Sequence, residues 1–339
     1  MITPEDADFH PHDPSDLSWT ETIFLPFAVP EEGIFGNCYV LARPNLGICL
    51  SSVIVSRGLC VHTYEIDFTD PQMHLKCPEK FSDFTLDNGL SLKALGGPQN
   101  YDLRYENQLG ACSFDLSFRG LHHPFDPRDP AENPLLTQRP SGAEDARIGK
   151  EWANGHFECK GHITGSLTLY GETYKVDCYE GMDHSWGPRK ELGTRAVSWI
   201  SINFGEDLAI HLAVPMRIEK GTVLYDPVQF GFVVENGEVY GVTSAEVQAN
   251  RVHMQPIGNR ITVTDIRGKS FEFLGTAVGG HPWHSFNPCH VCYQTTMRYT
   301  WNDRVGFGEF GDIFGLDYLA RHMSRSAPWR RVPQSGGIV

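Results

Sequence analysis

The sequence has no run of about 18 consecutive apolar residues, so no helix is expected to cross a membrane. Its opening residues are acidic and rich in His and Pro, not basic and then apolar, so no secretory leader is expected. Basic residues are few: 28 Lys and Arg stand against 42 Asp and Glu, a formal net charge of −14. Neutralising phosphates needs a basic face, so nucleic acid is excluded as a partner. No repeat of about 20–50 residues calls for a solenoid or propeller. Neither a Gly-x-Ser-x-Gly elbow nor a Walker loop is present. Gly306-x-Gly308-x-x-Gly311 has the spacing of a dinucleotide fingerprint but lacks a following βαβ unit, so no nucleotide cofactor is expected. The nine cysteines are odd in number, scattered and mostly inside strand-like runs, where a free thiol behaves as a small hydrophobe. The expected compartment is a reducing cytoplasm.

What the chain does contain is β structure. Its 339 residues, 40% hydrophobic and 12% aromatic, can bury a sizeable core as two domains or one large β architecture. Short β-branched and aromatic runs, broken by Gly, Pro, Asn or Asp, recur from Asn37 to about Arg304, the pattern of consecutive antiparallel strands. Arg43-Pro44-Asn45-Leu46-Gly47, Gly205-Glu206-Asp207 and above all Asn236-Gly237 read as turns. Amphipathic helices are scarce, and only 312–323 reads as one. The segment 121–149, with Pro124, Pro127, Pro130, Pro134 and Pro140, cannot be a central strand and is expected to be a long loop, either a site wall or lid or a plain surface connection. The expected fold is all-β with a short C-terminal helix. Two halves of similar strand content point to a duplicated barrel.

The most informative stretch runs from Gly155 through Glu180 to Arg189. Period-two alternation places His156, Glu158, Lys160 and His162 on one face, and Phe157 and Cys159 on the other. A hairpin at Tyr170-Gly171-Glu172 leads into a strand ending in Asp183-His184-Ser185-Trp186-Gly187, bracketed by Gly181 and Gly187. Asp-His-Ser-Trp-Gly-x-Arg after a Gly-containing hairpin resembles the signature of the carotenoid hydratase (hydroxyneurosporene synthase) superfamily of tandem lipocalin-like proteins, to which some pericyclic cyclases are related. Beyond 150–190 the resemblance covers length, strand grammar and the ending Gly306-Phe307-Gly308-Glu309-Phe310-Gly311. Where relatives often carry a basic residue before the Asp, this chain has Met182, a departure that bears on the charge state of Asp183.

The resemblance implies two lipocalin-like antiparallel barrels in tandem, over 16–190 and 191–323, with a tail at 324–339. It also implies cofactor-independent acid/base chemistry on an apolar terpenoid-, carotenoid- or steroid-like substrate. Hydration or dehydration of a C=C bond comes first, with isomerisation, cyclisation or non-catalytic ligand carriage as alternatives. Protonating an alkene needs a carboxylic acid that keeps its proton, which an apolar pocket promotes. Asp183 is the candidate acid, and His184 the group to orient it or hold water. Trp186 offers a π-face to a developing cation, and Tyr179, Trp199, Tyr64 and His156 are expected to line the substrate site. Glu309 is a possible second carboxylate, Asp312 an expected helix cap, and Arg189 an expected partner of a carboxylate at the barrel rim. The competing reading is a buried network that merely satisfies polar groups where two barrels join.

His281, His284, Cys289, His290 and Cys292 include zinc-ligand types, yet only one Cys-x-x-Cys is present and its two residues point to opposite faces of a strand, so no metal is expected there. The three histidines are placed instead at the second barrel's mouth. His10, His12 and Asp13 are expected in solvent.

Overall fold

The computed structural model describes residues 1–138, 154–189 and 196–326. Ten antiparallel strands form the first sheet: β1 (Trp19–Val29), β2 (Ile34–Arg43), β3 (Ile48–Arg57), β4 (Phe68–Lys76), β5 (Asp83–Thr85), β6 (Ser91–Ala94), β7 (Asn100–Glu106), β8 (Cys112–Gly120), β9 (Gly155–Leu169) and β10 (Glu172–Pro188). Nine form the second: β11 (Ala196–Asn203), β12 (Leu208–Glu219), β13 (Thr222–Tyr225), β14 (Phe230–Glu235), β15 (Glu238–Val252), β16 (Gln255–Asp265), β17 (Ser270–Asn287), β18 (His290–Trp301) and β19 (Arg304–Gly315). A one-turn helix α1 (Leu135–Gln138) and a terminal helix α2 (Leu316–Ser326) complete the chain. Both hairpins with the strongest turn signals form with two left-handed residues each: Tyr170 and Gly171 at φ 50° and 87°, Asn236 and Gly237 at 53° and 82°.

The two sheets are built differently. In the first, the order β4-β3-β2-β1-β10-β9-β8-β7-β6-β5 makes a half-barrel whose ends are not paired to each other. In the second, β11 pairs with both β12 and β19, which closes eight strands into a barrel and leaves β13 as a flap on β12. The closed barrel is filled by its own side chains, among them Ile200, Leu212, Val233, Phe273, Met297 and Phe310.

The barrel and half-barrel meet along a seam that is polar as well as apolar. Asn37 Nδ2 donates to Gln294 Oε1 at 2.7 Å, Trp283 Nε1 to Ser52 Oγ at 3.1 Å, and Ser56 Oγ lies 3.0 Å from His281 Nδ1. Backbone bonds from Cys60 N to Gly280 O and from Gly280 N to Gly58 O stitch the same line.

One local expectation is corrected. Asp312 is not a helix cap. Strand β19 continues through it, and there it is fully buried beside Arg251 and Tyr225. The described part of the Pro-rich segment is a fastened wall. Phe125 exchanges backbone bonds with Glu158 (2.8 and 3.1 Å), Leu121 N donates to Lys160 O, and the Phe125 ring stacks on Phe232 at 4.6 Å. The remainder of that segment, and the tail beyond Ser326, lie outside the described residues. No helix among the described residues is long and apolar enough to cross a membrane.

Candidate active site between the two sheets

The candidate site lies in the seam, on the face of β9 and β10 that meets the outer wall of the barrel. Register pairs Asp183 with Glu158, Gly181 with Lys160 and, across β1, Asp183 with Phe24. From the barrel, β11 contributes Trp199 and Ser201, β12 His211, and β19 Glu309. With Met182 and Ile200 these residues line a small void with room for roughly one water molecule. A second void, toward Phe27, Asn37 and His281, shares Glu309 with the first. A substrate larger than water reaches the acid only when these walls part.

The void is a concentration of carboxyl groups around one lysine. Lys160, 1% exposed, donates from Nζ to Ser201 Oγ at 2.6 Å, and Ser201 in turn donates to Glu180 Oε2 at 2.6 Å. Glu158 Oε1 accepts from Trp199 Nε1 at 2.7 Å, faces His156 Nε2 at 2.8 Å and has His211 Nε2 3.4 Å away. Asp183 differs from them, because its carboxyl makes no hydrogen bond among the described residues, and it lines the void. Four carboxyls and one ammonium cannot all be charged in so dry a place without a large cost.

The proton affinities follow. Burial, with the Glu158 carboxylate behind it, pushes the Asp183 carboxyl up to about 7, against the opposing pull of His156 and Arg189. Burial lifts Glu158 to about 8, and Lys160 and the Trp199 N–H only partly offset it. Glu180 and Glu309 are raised by burial as well, Glu309 also by the Glu180 charge. Burial lowers Lys160, and it lowers His156 to about 4, so the imidazole is neutral at pH 7.

Of the residues expected at the site, Asp183, His156, Trp199 and Glu309 come together. Four do not. His184 occupies the opposite face of β10, buried with Glu21, because neighbouring strand residues point to opposite sides. It therefore cannot orient Asp183. Trp186 shares that hidden face and stacks on His10 at 3.6 Å, so the π-surface beside the acid is that of Trp199. Tyr179 stacks on His162 at 4.5 Å at the exposed end of the hairpin, and Tyr64 is 80% exposed. Arg189 bonds the hydroxyls of Ser185 (2.6 Å) and Thr22 (3.1 Å), and its charge acts on Asp183. His10, expected in solvent, is only 12% exposed in its side chain. The His and Cys residues from 281 to 292 are absent from the one metal-compatible grouping found among the described residues. His281 sits in the seam, while His284 is exposed. The alternating His156-Glu158-Lys160 run signals Glu158 and Lys160; Glu180, Ser201 and His211 carry no sequence signal of their own.

A family model described as Domain of unknown function (DUF7064) matches residues 3–312. The chain belongs to that family. A search of curated proteins finds no match. Among solved structures, kievitone hydratase from Nectria haematococca is similar with a TM-score of 0.51 at 11% identity, over 88% of each chain. An AttH-like protein from Nitrosomonas europaea is similar with a TM-score of 0.53 at 11% identity, over 88% of this chain and 92% of that one. The DUF7064 chain thus shares its overall fold with these two structures.

Proposed function

We propose that this protein is an enzyme that protonates a C=C bond of an apolar terpenoid-, carotenoid- or steroid-like substrate without a cofactor, with hydration or the reverse dehydration as its reaction. The observation that carries this is Asp183, a carboxyl with no hydrogen bond among the described residues, at a void, with its proton affinity pushed up to about 7. Such a group is half protonated near neutrality, where general acids work best. Its O–H bond breaks as a C–H bond forms on the alkene. The cation left behind faces the Trp199 ring, which can stabilise it electrostatically. Water adds to the cation and gives up a proton to the carboxylate that Asp183 has become, which restores the acid, while Glu309 lines the same void. A water-sized space beside the acid favours water capture over loss of a proton, the step that would give an isomer. The hydratase activity named for a structural relative at 11% identity is in keeping with this reading.

Incubating the purified chain with a panel of apolar alkenes in D2O tests it. Conversion should add one water and place one deuterium on carbon. Asp183→Asn should bind ligand as tightly, by tryptophan quenching, and lose about 10²–10⁴-fold in turnover. Unchanged turnover in that variant removes Asp183 as the acid. Stoichiometric binding with no conversion of any candidate makes the protein a carrier, and deuterated product without added water makes it an isomerase or cyclase.

A further inference from the structure

On the side of the first sheet turned away from Asp183, three residues far apart in sequence converge: His10 on the N-terminal arm, Glu21 on β1 and His184 on β10. His10 Nδ1 and His184 Nε2 both aim at Glu21 Oε2, from 3.0 and 3.3 Å, and all three atoms lie within 4.8 Å of one another. In a tetrahedral zinc site with bonds of about 2.0–2.1 Å, neighbouring ligand atoms stand about 3.3 Å apart. The two separations from Glu21 Oε2 fit ligands around one ion.

Hydrogen bonding among neutral groups does not satisfy the cluster. A neutral imidazole has one donor and one acceptor nitrogen. Both nitrogens of His10 face carboxylate oxygens, Nδ1 toward Glu21 Oε2 and Nε2 toward Asp6 Oδ1 at 3.0 Å, and carboxylates only accept. With the N–H given to Asp6, the Nδ1 lone pair meets Glu21 oxygen unless the ring carries a second proton or a cation lies between them. A carboxylate taking the outer N–H of a metal-bound histidine is a recurrent arrangement. The other Glu21 oxygen is already held, by Trp19 Nε1 at 3.1 Å and by the His10 backbone N–H at 2.8 Å, which leaves Oε2 free to ligate.

We propose that His10 Nδ1, Glu21 Oε2 and His184 Nε2 bind one divalent transition-metal ion of the zinc type. The ion clamps the N-terminal arm to the half-barrel and fixes β10 one residue away from Asp183. Two imidazoles and a carboxylate suit zinc, cobalt or nickel better than magnesium or calcium, which prefer all-oxygen shells. The inference stands independently of the proposed reaction.

The test strips the full-length chain with a chelator and titrates it with Zn2+ and Co2+, following metal content, the visible Co2+ bands and the melting temperature. One equivalent per chain, intense tetrahedral Co2+ bands and a higher melting temperature with Zn2+ are expected. His10→Gln and His184→Gln should abolish uptake, and Asp6→Asn should weaken it about 10- to 100-fold. His253→Gln, at an exposed histidine of the barrel, should leave uptake unchanged. No uptake by the unmodified chain at micromolar metal overturns the proposal and makes His10 a charged hydrogen-bond donor to two carboxylates. Uptake undiminished in His10→Gln and His184→Gln overturns it by placing the metal elsewhere. Should His184→Gln fail to fold, His10→Gln on the arm and the Co2+ spectrum of the unmodified chain decide.

Discussion

Asp183 and Glu158 face one another across adjacent strands, and each makes the other's ionisation harder. Their affinities, about 7 and about 8, lie above the ordinary 3.8 and 4.5, so the folded chain holds protons that the unfolded chain releases. Unfolding therefore sheds protons in the interval between, and raising the pH through it weakens the fold. His122 and His156, pushed down to about 4 by burial, act with the opposite sign up to their ordinary 6.5. The carboxyls consequently govern the slope between about 6.5 and 8. The urea midpoint should fall across that interval, and the double variant Asp183→Asn, Glu158→Gln should flatten it. An equal slope in both proteins would deny these carboxyls their protons. At this scale the sequence carried half of the site. Alternation put His156, Glu158 and Lys160 on one face, and the same rule separates His184 from Asp183, although their adjacency in the motif invites pairing them.

Among the elements, β19 depends on lacking side chains at two positions. A Cβ at Gly308 would lie 2.0 Å from the backbone oxygen of Ser201, and at Gly306 2.2 Å from that of Asn203, on the β11 side of the barrel seam. The Gly-rich ending that resembles a nucleotide fingerprint is thus a strand pressed close to its neighbour's backbone. Gly308→Ala should cost about 1–3 kcal/mol in urea unfolding, because main chain rather than a flexible side chain must give way. An unchanged midpoint would show that the seam has slack. Turn chemistry made the hairpins legible, since Asn236-Gly237 and Tyr170-Gly171 settle themselves locally. The start of α2 was not legible, because Asp312 and Ile313 fit a helix pattern equally well until strand pairing with β11 and β18 claims them.

For the whole molecule, the seam makes the half-barrel and barrel one unit. Phe125, in the wall that runs beside β9, packs on Phe230 and Phe232 of β14, so it joins the first sheet to the second. Phe125→Ala should destabilise by about 3–5 kcal/mol and lower the far-UV and near-UV transitions together. If the two signals separate, the sheets unfold independently and the seam is weaker than its bonds imply. The catalytic proposal rests on the same junction, since Asp183 and Lys160 come from one sheet and Trp199, Ser201 and Glu309 from the other.

Local rules determined what each stretch of this chain became. Period-two burial and turn residues act over a few positions, and they sufficed for an all-β fold and its hairpins. Which distant groups surround Asp183 was decided only when the barrel closed and docked. The proton affinity of a carboxyl depends on how much water and how many charges lie within a few ångströms, and those neighbours lie up to 126 positions away, at Glu309. The convergence of His10, Glu21 and His184 was likewise set by pairing between strands that sequence separates.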